Sequence, residues 1–250
     1  MYECRIEIAG VPALIRCRYP ANVKFFREYL TKRQERFAIE PGEKDLQRMR
    51  EELGRMDALK GISAFPGRED FLENRAIHCL LAERLVYENV LLMHGSALCM
   101  DGEAYLFIAG SGTGKSTHAR LWRQAFGDRV WMINDDKPML KISQKGAAVY
   151  GTPWNGCLGR NGGAPLKAIV RLRRDEADHI EPLSKTEAFP ELLRYAFRVE
   201  DPALMAKILE LEKMLLNAVD FYSLGCTMEP EAAMTAWEGM NHLVKNERRE

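Results

Sequence analysis

Between residues 104 and 126 the chain reads as strand, glycine-rich loop and helix, and the loop dictates what its neighbours must be. The apolar run Ala104-Tyr-Leu-Phe-Ile-Ala109 leads into Gly110-Ser111-Gly112-Thr113-Gly114-Lys115-Ser116, and a helical pattern follows over 115–126. Ala109 stands where a phosphate loop more often has its first glycine. Glycines let the backbone close round a polyphosphate so that successive N–H groups point inward. Lys115 then supplies a mobile positive charge for the outer phosphates, and the Ser116 hydroxyl is placed to ligate Mg²⁺. Thr117 continues the first helical turn behind the metal, and the helix adds its positive end to the same site. His118, one residue on, reads as a surface or packing residue. A plain glycine-rich turn would not need an apolar strand before it and a helix after it, so the segment implies an α/β fold that binds a nucleotide through Gly110 to Thr117.

Composition confines that site to a local feature. Lys plus Arg and Asp plus Glu number 36 each in 250 residues, so no global field attracts nucleic acid or an anionic membrane. The six cysteines show no Cys-x-x-Cys pair, and several lie in apolar runs where a reduced thiol packs as a small hydrophobe. The N-terminal residues mix acid and base where a signal peptide needs an apolar core, and no run is long enough for a membrane span. The expectation is a cytoplasmic protein with neither nucleic acid nor membrane as partner. A homo-oligomer is left open.

Two regions are expected, an accessory α/β region over 1–88 and a nucleotide-binding domain over 89–250. In the first, strands are predicted at 5–9 and 13–19 about a break at Gly10-Val11-Pro12, with helices at 21–36, 43–56 and 70–89. The last helix would place Phe71, Ile77, Leu80, Leu81 and Leu85 near one face. In the second, strands are predicted at 91–99 and 104–109, joined by Asp101-Gly102, the pair a type I′ turn requires. A strand over 129–134, a hairpin over 140–150, a glycine-rich loop over 151–165 and a strand over 166–172 follow. The remainder reads as mainly helical, at 185–198, at 202–219 with Asp201 as its N-cap, and at 230–244, before a frayed tail from Lys245.

Asp135 and Asp136 end the 129–134 strand, one αβ step beyond the phosphate loop. A carboxylate there suits Mg²⁺, and a second one beside it suits a general base toward a hydroxyl. Turn or capping residues are the alternative reading. His94, after Leu91-Leu-Met93, taken alone reads as a satisfied core histidine.

Taken together, Met93-His94-Gly95, the phosphate loop, a helix and Asp135-Asp136 in that order resemble the catalytic domain of HPr kinase/phosphorylase. They are closer to its shorter relatives of the HPr-kinase-like and phosphoenolpyruvate-carboxykinase-like group, closely over 91–137 and loosely to 172. The resemblance implies that family's P-loop kinase core, a mixed sheet with flanking helices, using ATP and Mg²⁺. It implies functional roles for His94, Lys115 and Ser116, with Asp135 on the metal and Asp136 as the base. The chain departs from the full enzymes before His94, and has Tyr150-Gly-Thr-Pro-Trp-Asn-Gly156 where they carry Glu-Ile-Arg-Gly. The expected acceptor is therefore a hydroxyl of a peptide, protein or small molecule rather than HPr itself.

The 151–165 loop carries Trp154 and Arg160 and is long for a turn. It reads either as an acceptor or lid loop, with Arg160 meeting the transferring phosphoryl charge, or as a structural loop whose Trp packs on the core. Arg171, Arg173 and Arg174 read as a solvated strand end. Beside the kinase stand two other readings, a regulatory nucleotide-binding module with weak or no ATPase activity and a kinase of a small metabolite.

Overall fold

The computed structural model describes residues 1–59, 69–156 and 159–247; Cys157 and the last three residues of the tail lie outside them. The chain divides into two compact units, Met1–Glu88 and Asn89–Glu250.

In the first unit, β1 (Tyr2–Ile8) and β2 (Val11–Cys17) pair antiparallel from Tyr2↔Cys17 to Ile8↔Val11. The turn is Ala9-Gly10, with φ of 52° and 74°, the positive pair of a type I′ turn. Val11 and Pro12, expected in the break, lie inside β2. Helix α1 (Pro20–Phe25) and a short 3-10 turn at Arg27–Tyr29 replace the long helix expected over 21–36. Beyond them Thr31-Lys-Arg-Gln-Glu-Arg36 offers no apolar face for a helix to bury. The chain extends instead into β3 (Phe37–Ile39), unforeseen in the sequence, parallel to β2 from Ala13↔Phe37 to Ile15↔Ile39.

Helices α2 (Glu43–Leu59) and α3 (Glu69–Val86) pack through Leu46, Met49, Leu72 and Ala76. The buried stripe of α3 is Leu72, Ala76, Ile77, Leu81 and Leu85, whereas Phe71 turns outward. Glu73 lies in that stripe at 1% exposure. Its carboxylate accepts from the backbone N–H groups of Arg18 (2.7 Å) and Tyr19 (3.2 Å) and from Asn22 Nδ2 (2.8 Å). Tyr19 has no side-chain cap of its own for α1, so an acid from a distant helix satisfies the donors just before it.

In the second unit nine strands among the described residues form one mixed sheet. In chain order the elements are β4 (Val90–Leu92), β5 (Ser96–Met100), β6 (Glu103–Ile108), α4 (Lys115–Phe126) and β7 (Val130–Asn134). Then come β8 (Met139–Ser143), β9 (Gly146–Tyr150), β10 (Gly163–Arg174), β11 (His179–Pro182), α5 (Lys185–Tyr195), α6 (Pro202–Ala218), β12 (Asp220–Cys226) and α7 (Glu231–Glu247). Neighbouring strands run β4-β8-β9-β10-β6-β5-β7, with β12 also on β10 and β11 on β12. The long β10 is the joint. Gly163–Pro165 pairs antiparallel with β9, and after an irregularity at Leu166/Ala168 the strand runs parallel between β6 and β12.

The single strand expected over 91–99 is two: β4 pairs with β8, and β5 with β6 and β7. The break between them is Met93-His94-Gly95. Asp101 and Gly102, with φ of 52° and 85°, make the β5–β6 turn. Strands β11 and β12 fall where mainly helix was expected. Five central residues of β12 are buried in succession, so it lacks the alternation that marks a half-exposed strand. Helix α5 stops at Tyr195 rather than 198, and α7 continues to Glu247 rather than fraying at Lys245.

Helices α4 and α7 share a core with β6, β10 and β12. Trp122 of α4 is fully buried there, its ring centroid 5.0 Å from Tyr105 and 5.7 Å from Phe107. Among the described residues no helix is long and apolar enough to cross a membrane.

Replacing Glu73 by Ala leaves buried backbone donors unpaired, at about 1–3 kcal/mol for each orphaned group. Faster amide hydrogen exchange at Arg18 and Tyr19 is expected in the Glu73→Ala protein, measured by mass spectrometry; parental protection there would show that the carboxylate is dispensable.

Candidate active site

The loop between β6 and α4 is shaped from both sides by cations. Lys115, the first residue of α4, is 9% exposed, and its ammonium donates to the carbonyls of Ala109 (2.9 Å) and Gly110 (3.3 Å). Burial lowers its pKa and Lys137 adds to that, while Asp136 opposes it. From the end of β10, Arg174 donates to the carbonyls of Gly112 (2.5 Å) and Thr113 (3.3 Å). Gly112 and Gly114 have φ of 76° and 115°, a region side-chain-bearing residues rarely adopt. The helix then closes with His118 N–H on the Gly114 carbonyl at 2.8 Å.

His118 is a core group, as its packing shows. Its Nε2 accepts from Trp122 Nε1 at 3.0 Å, one helical turn on, and its ring meets Phe107 edge to face. Burial pushes its pKa down to about 4, so the ring is neutral in the fold.

The acidic pair follows β7 on a turn built by Asn134. The Asn134 Oδ1 accepts from the N–H groups of Asp136 (2.9 Å) and Lys137 (2.7 Å), and its Nδ2 donates to Thr152 O (3.2 Å) and Oγ1 (3.0 Å). Thr152 Oγ1 donates in turn to the Lys137 carbonyl at 2.8 Å. The Asp135 carboxylate accepts the Gly156 N–H. A Cβ at Gly156 would sit 2.6 Å from Asp135 Oδ2, so a side chain there would push the carboxylate aside. Asp136 Oδ1 lies 3.6 Å from Lys137 Nζ and 3.9 Å from His94 Nδ1.

His94 is held by its backbone, donating to the Tyr195 carbonyl at 2.7 Å, while Gly95 N–H donates to the Asp136 carbonyl at 3.1 Å. A Cβ at Gly95 would be 2.8 Å from the Phe107 carbonyl, which ties the chain at this point to glycine. The ring's Nδ1 is 2.8 Å from Lys137 Nζ. Burial first, then Lys137 and Lys115, lower the His94 pKa against the pull of Asp136. A neutral ring can accept a hydrogen bond from the Lys137 ammonium at Nδ1.

These groups open on one cleft of about 480 Å³, lined by His94, Ser111, Gly112, Gly114, Lys115, Ser116, Thr117, Asp135, Asp136 and Gly156. Gly110 and Thr113 belong to the loop but do not line it. Arg160, expected at the transferring phosphoryl group, is not brought here. Its guanidinium lies 3.9 Å above the Trp131 ring and lines a different cavity with Arg120 and Arg123. The cause is the path of the loop: Arg160 N–H is tied to the Ile133 carbonyl at 3.2 Å, and Gly151 N–H to the Gly162 carbonyl at 2.8 Å. Trp154 is half-buried in the same loop, its carbonyl accepting from Thr152 Oγ1 at 3.3 Å.

Three contributors escaped the sequence reading. Lys137 adjoins the acidic pair and could have been weighed with it. Asn134 precedes the pair as an Asx-turn residue would. Arg174, taken for a solvated strand end, reaches the loop only because β10 lies beside β6, which no local signal discloses.

Among the described residues no three His, Cys, Asp or Glu side chains form a cluster that could hold a metal. The donor set here, a serine hydroxyl and a carboxylate beside a glycine-rich loop, suits a Mg²⁺ that takes its other oxygens from a ligand and water.

No family model and no curated protein matches the chain. Among solved structures it is similar to the HPr(Ser) kinase/phosphatase from Coxiella burnetii, with 10% identity and a TM-score of 0.38. That likeness covers 62% of this chain and 98% of the other, a distant structural relationship that assigns no residue a role.

The depressed His118 pKa has a defined pH consequence. The unfolded chain binds a proton near pH 6.5 and the fold resists it down to about pH 4. Stability is therefore complete above the unfolded value and falls as pH drops through that window, by on the order of 3 kcal/mol in total. His118→Gln keeps an acceptor for Trp122. Its urea midpoint is expected to change less between pH 7 and about pH 4.5 than the parent's; equal changes would mean that His118 does not carry the acid sensitivity.

Proposed function

We propose that the cleft binds ATP with Mg²⁺ and transfers the terminal phosphoryl group to a hydroxyl of a peptide, protein or small molecule. The observation that carries this reading is that Ser111, Gly112, Gly114, Lys115 and Ser116 of the loop line the same cleft as Asp135 and Asp136. Binding of the polyphosphate falls to the loop N–H groups, the positive end of α4 and the Lys115 ammonium. Mg²⁺ would be held by Ser116 and Asp135, and would supply charge neutralisation between the outer phosphates.

Asp136 takes the proton of the acceptor hydroxyl. The hydroxyl oxygen forms the new bond to the terminal phosphorus while the bond to the bridging oxygen breaks, and ADP leaves. Lys115 and Lys137 face the charge that develops on the leaving oxygens. His94, neutral between them, orients Lys137.

A regulatory module that binds nucleotide without transferring it is the second reading. It is favoured by the neighbours of both carboxylates, Gly156 N–H on Asp135 and Lys137 near Asp136. Phosphotransfer screened against peptides and hydroxyl metabolites separates the two.

Lys115→Ala is expected to lower Mg·ATP binding or turnover by about 10²-fold. Parental calorimetric affinity and parental turnover together would sink the proposal. Asp136→Asn should keep Mg·ATP affinity within about threefold while transfer falls by about 10²-fold or more, whereas Asp135→Asn should damage both. Small, equal effects at the two positions would make the pair a turn feature and not a catalytic one.

A further inference from the structure

A second cavity in this unit is not used by the proposed reaction. It measures about 150 Å³ and lies against α4 and β7. Its floor is apolar, from Leu98, Val130 and Met132. Its rim carries three guanidinium groups, two from Arg120 and Arg123 of α4 and the third from Arg160.

The three arginines differ from most in the chain. Arg129, close by in sequence, is paired with Asp101. Among the described residues no ion pair involves Arg120, Arg123 or Arg160. Arg120 makes only a long contact of 3.4 Å to the Thr117 hydroxyl. Arg160 is fixed in orientation by stacking 3.9 Å over Trp131. Guanidinium groups gathered round one cavity without an acid repel one another, and an anion relieves that repulsion while taking charge-assisted hydrogen bonds. Because one of the three is already oriented, less ordering is left for binding to impose.

The cavity also sets the size of what it accepts. A volume near 150 Å³ with apolar walls is that of a site that holds a benzene-sized body. Arg120 and Arg123 follow Ser116 by four and seven residues on one face of α4. They therefore lie about 6 and 10 Å farther along the helix axis than the phosphate-loop serine.

We propose that this cavity is a second anion site, separate from the phosphate loop, and that it takes a small organic phosphate ester. The apolar body, of about one ring, fills the cavity floor, and the phosphate sits among Arg120, Arg123 and Arg160. The proposal does not depend on phosphoryl transfer in the larger cleft.

Phenyl phosphate and inorganic phosphate are the probes, titrated into the full chain by calorimetry. Phenyl phosphate is expected to bind one per chain, with about equal affinity in the parent and in Lys115→Ala. Inorganic phosphate, which cannot use the apolar floor, should bind this site at least about tenfold more weakly. Arg123→Gln and Arg160→Gln, both at exposed positions, should each weaken phenyl phosphate by about tenfold or more. The inference is overturned by any of three results: no saturable binding of phenyl phosphate, binding lost in Lys115→Ala but kept in Arg123→Gln, or equal affinity for the two probes.

Discussion

The second unit is organised round a buried ammonium that donates to main-chain carbonyls. Lys115 holds the Ala109 and Gly110 carbonyls from inside the loop, and Arg174 holds those of Gly112 and Thr113 from the end of β10. Across a trans peptide the carbonyl of one residue and the N–H of the next point in opposite directions. Arg174's hold on the Thr113 carbonyl therefore turns the Gly114 N–H away from Arg174. Two cations thus sort the loop's dipoles. The arrangement depends on the sheet, because Arg171 of β10 is in register with Ile108 of β6, three residues before Arg174.

A second constraint is the side chain of Asn134. One amide closes the turn that presents Asp135, Asp136 and Lys137, and the same amide ties that turn to Thr152. The 151–162 loop is anchored at its base by Gly151, whose Cβ, were there one, would meet the Arg160 and Ile133 carbonyls at 2.1 and 2.8 Å. Clamped at both legs, the loop delivers Gly156 to Asp135 and carries Arg160 off to Trp131. A segment that reads as a lid in the sequence is, over its described residues, part of the wall. The alternative of a structural loop agrees better with this bonding.

Legibility followed how local each cause was. The helix over 115–126 and the Asp101-Gly102 turn were readable because their signals, a loop-to-helix junction and a positive-φ pair, sit within the residues concerned. Asp201 as the N-cap of α6 was readable for the same reason, its carboxylate accepting the Leu204 N–H at 2.7 Å. By contrast, β3 is three residues long and exists through its pairing with β2. β12 is a buried run whose partner, β10, ends 46 residues before β12 begins. The grouping of His94 with Lys137 crosses 43 positions, and Arg174 reaches back 62 to Gly112. Motif reading named the loop and the acids, and the sheet order decided which distant cations joined them.

Charge balance within the cleft bears on which acid could act. Lys115 lines the cleft with two carboxylates, Lys137 lies beside it at 3.6 Å from Asp136, and the neutral His94 adds no charge. The chain as a whole has a formal net charge of zero, so any preference for anions arises from local groupings of charge. Asp135 is engaged by a main-chain donor from a clamped loop and is held in one orientation. Among the described residues the Asp136 carboxylate has Lys137 and His94 as side-chain neighbours, at 3.6 and 3.9 Å, beyond good hydrogen-bond length. A polyphosphate entering the loop would draw Lys137 toward its own oxygens, since those carry more charge than a single carboxylate. Asp136 would then be left with the neutral His94 as its side-chain neighbour. On the proposed reading, a polyphosphate in the loop and Asp136 would compete for Lys137, whose ammonium lies 2.8 Å from His94 Nδ1 and 3.6 Å from Asp136 Oδ1.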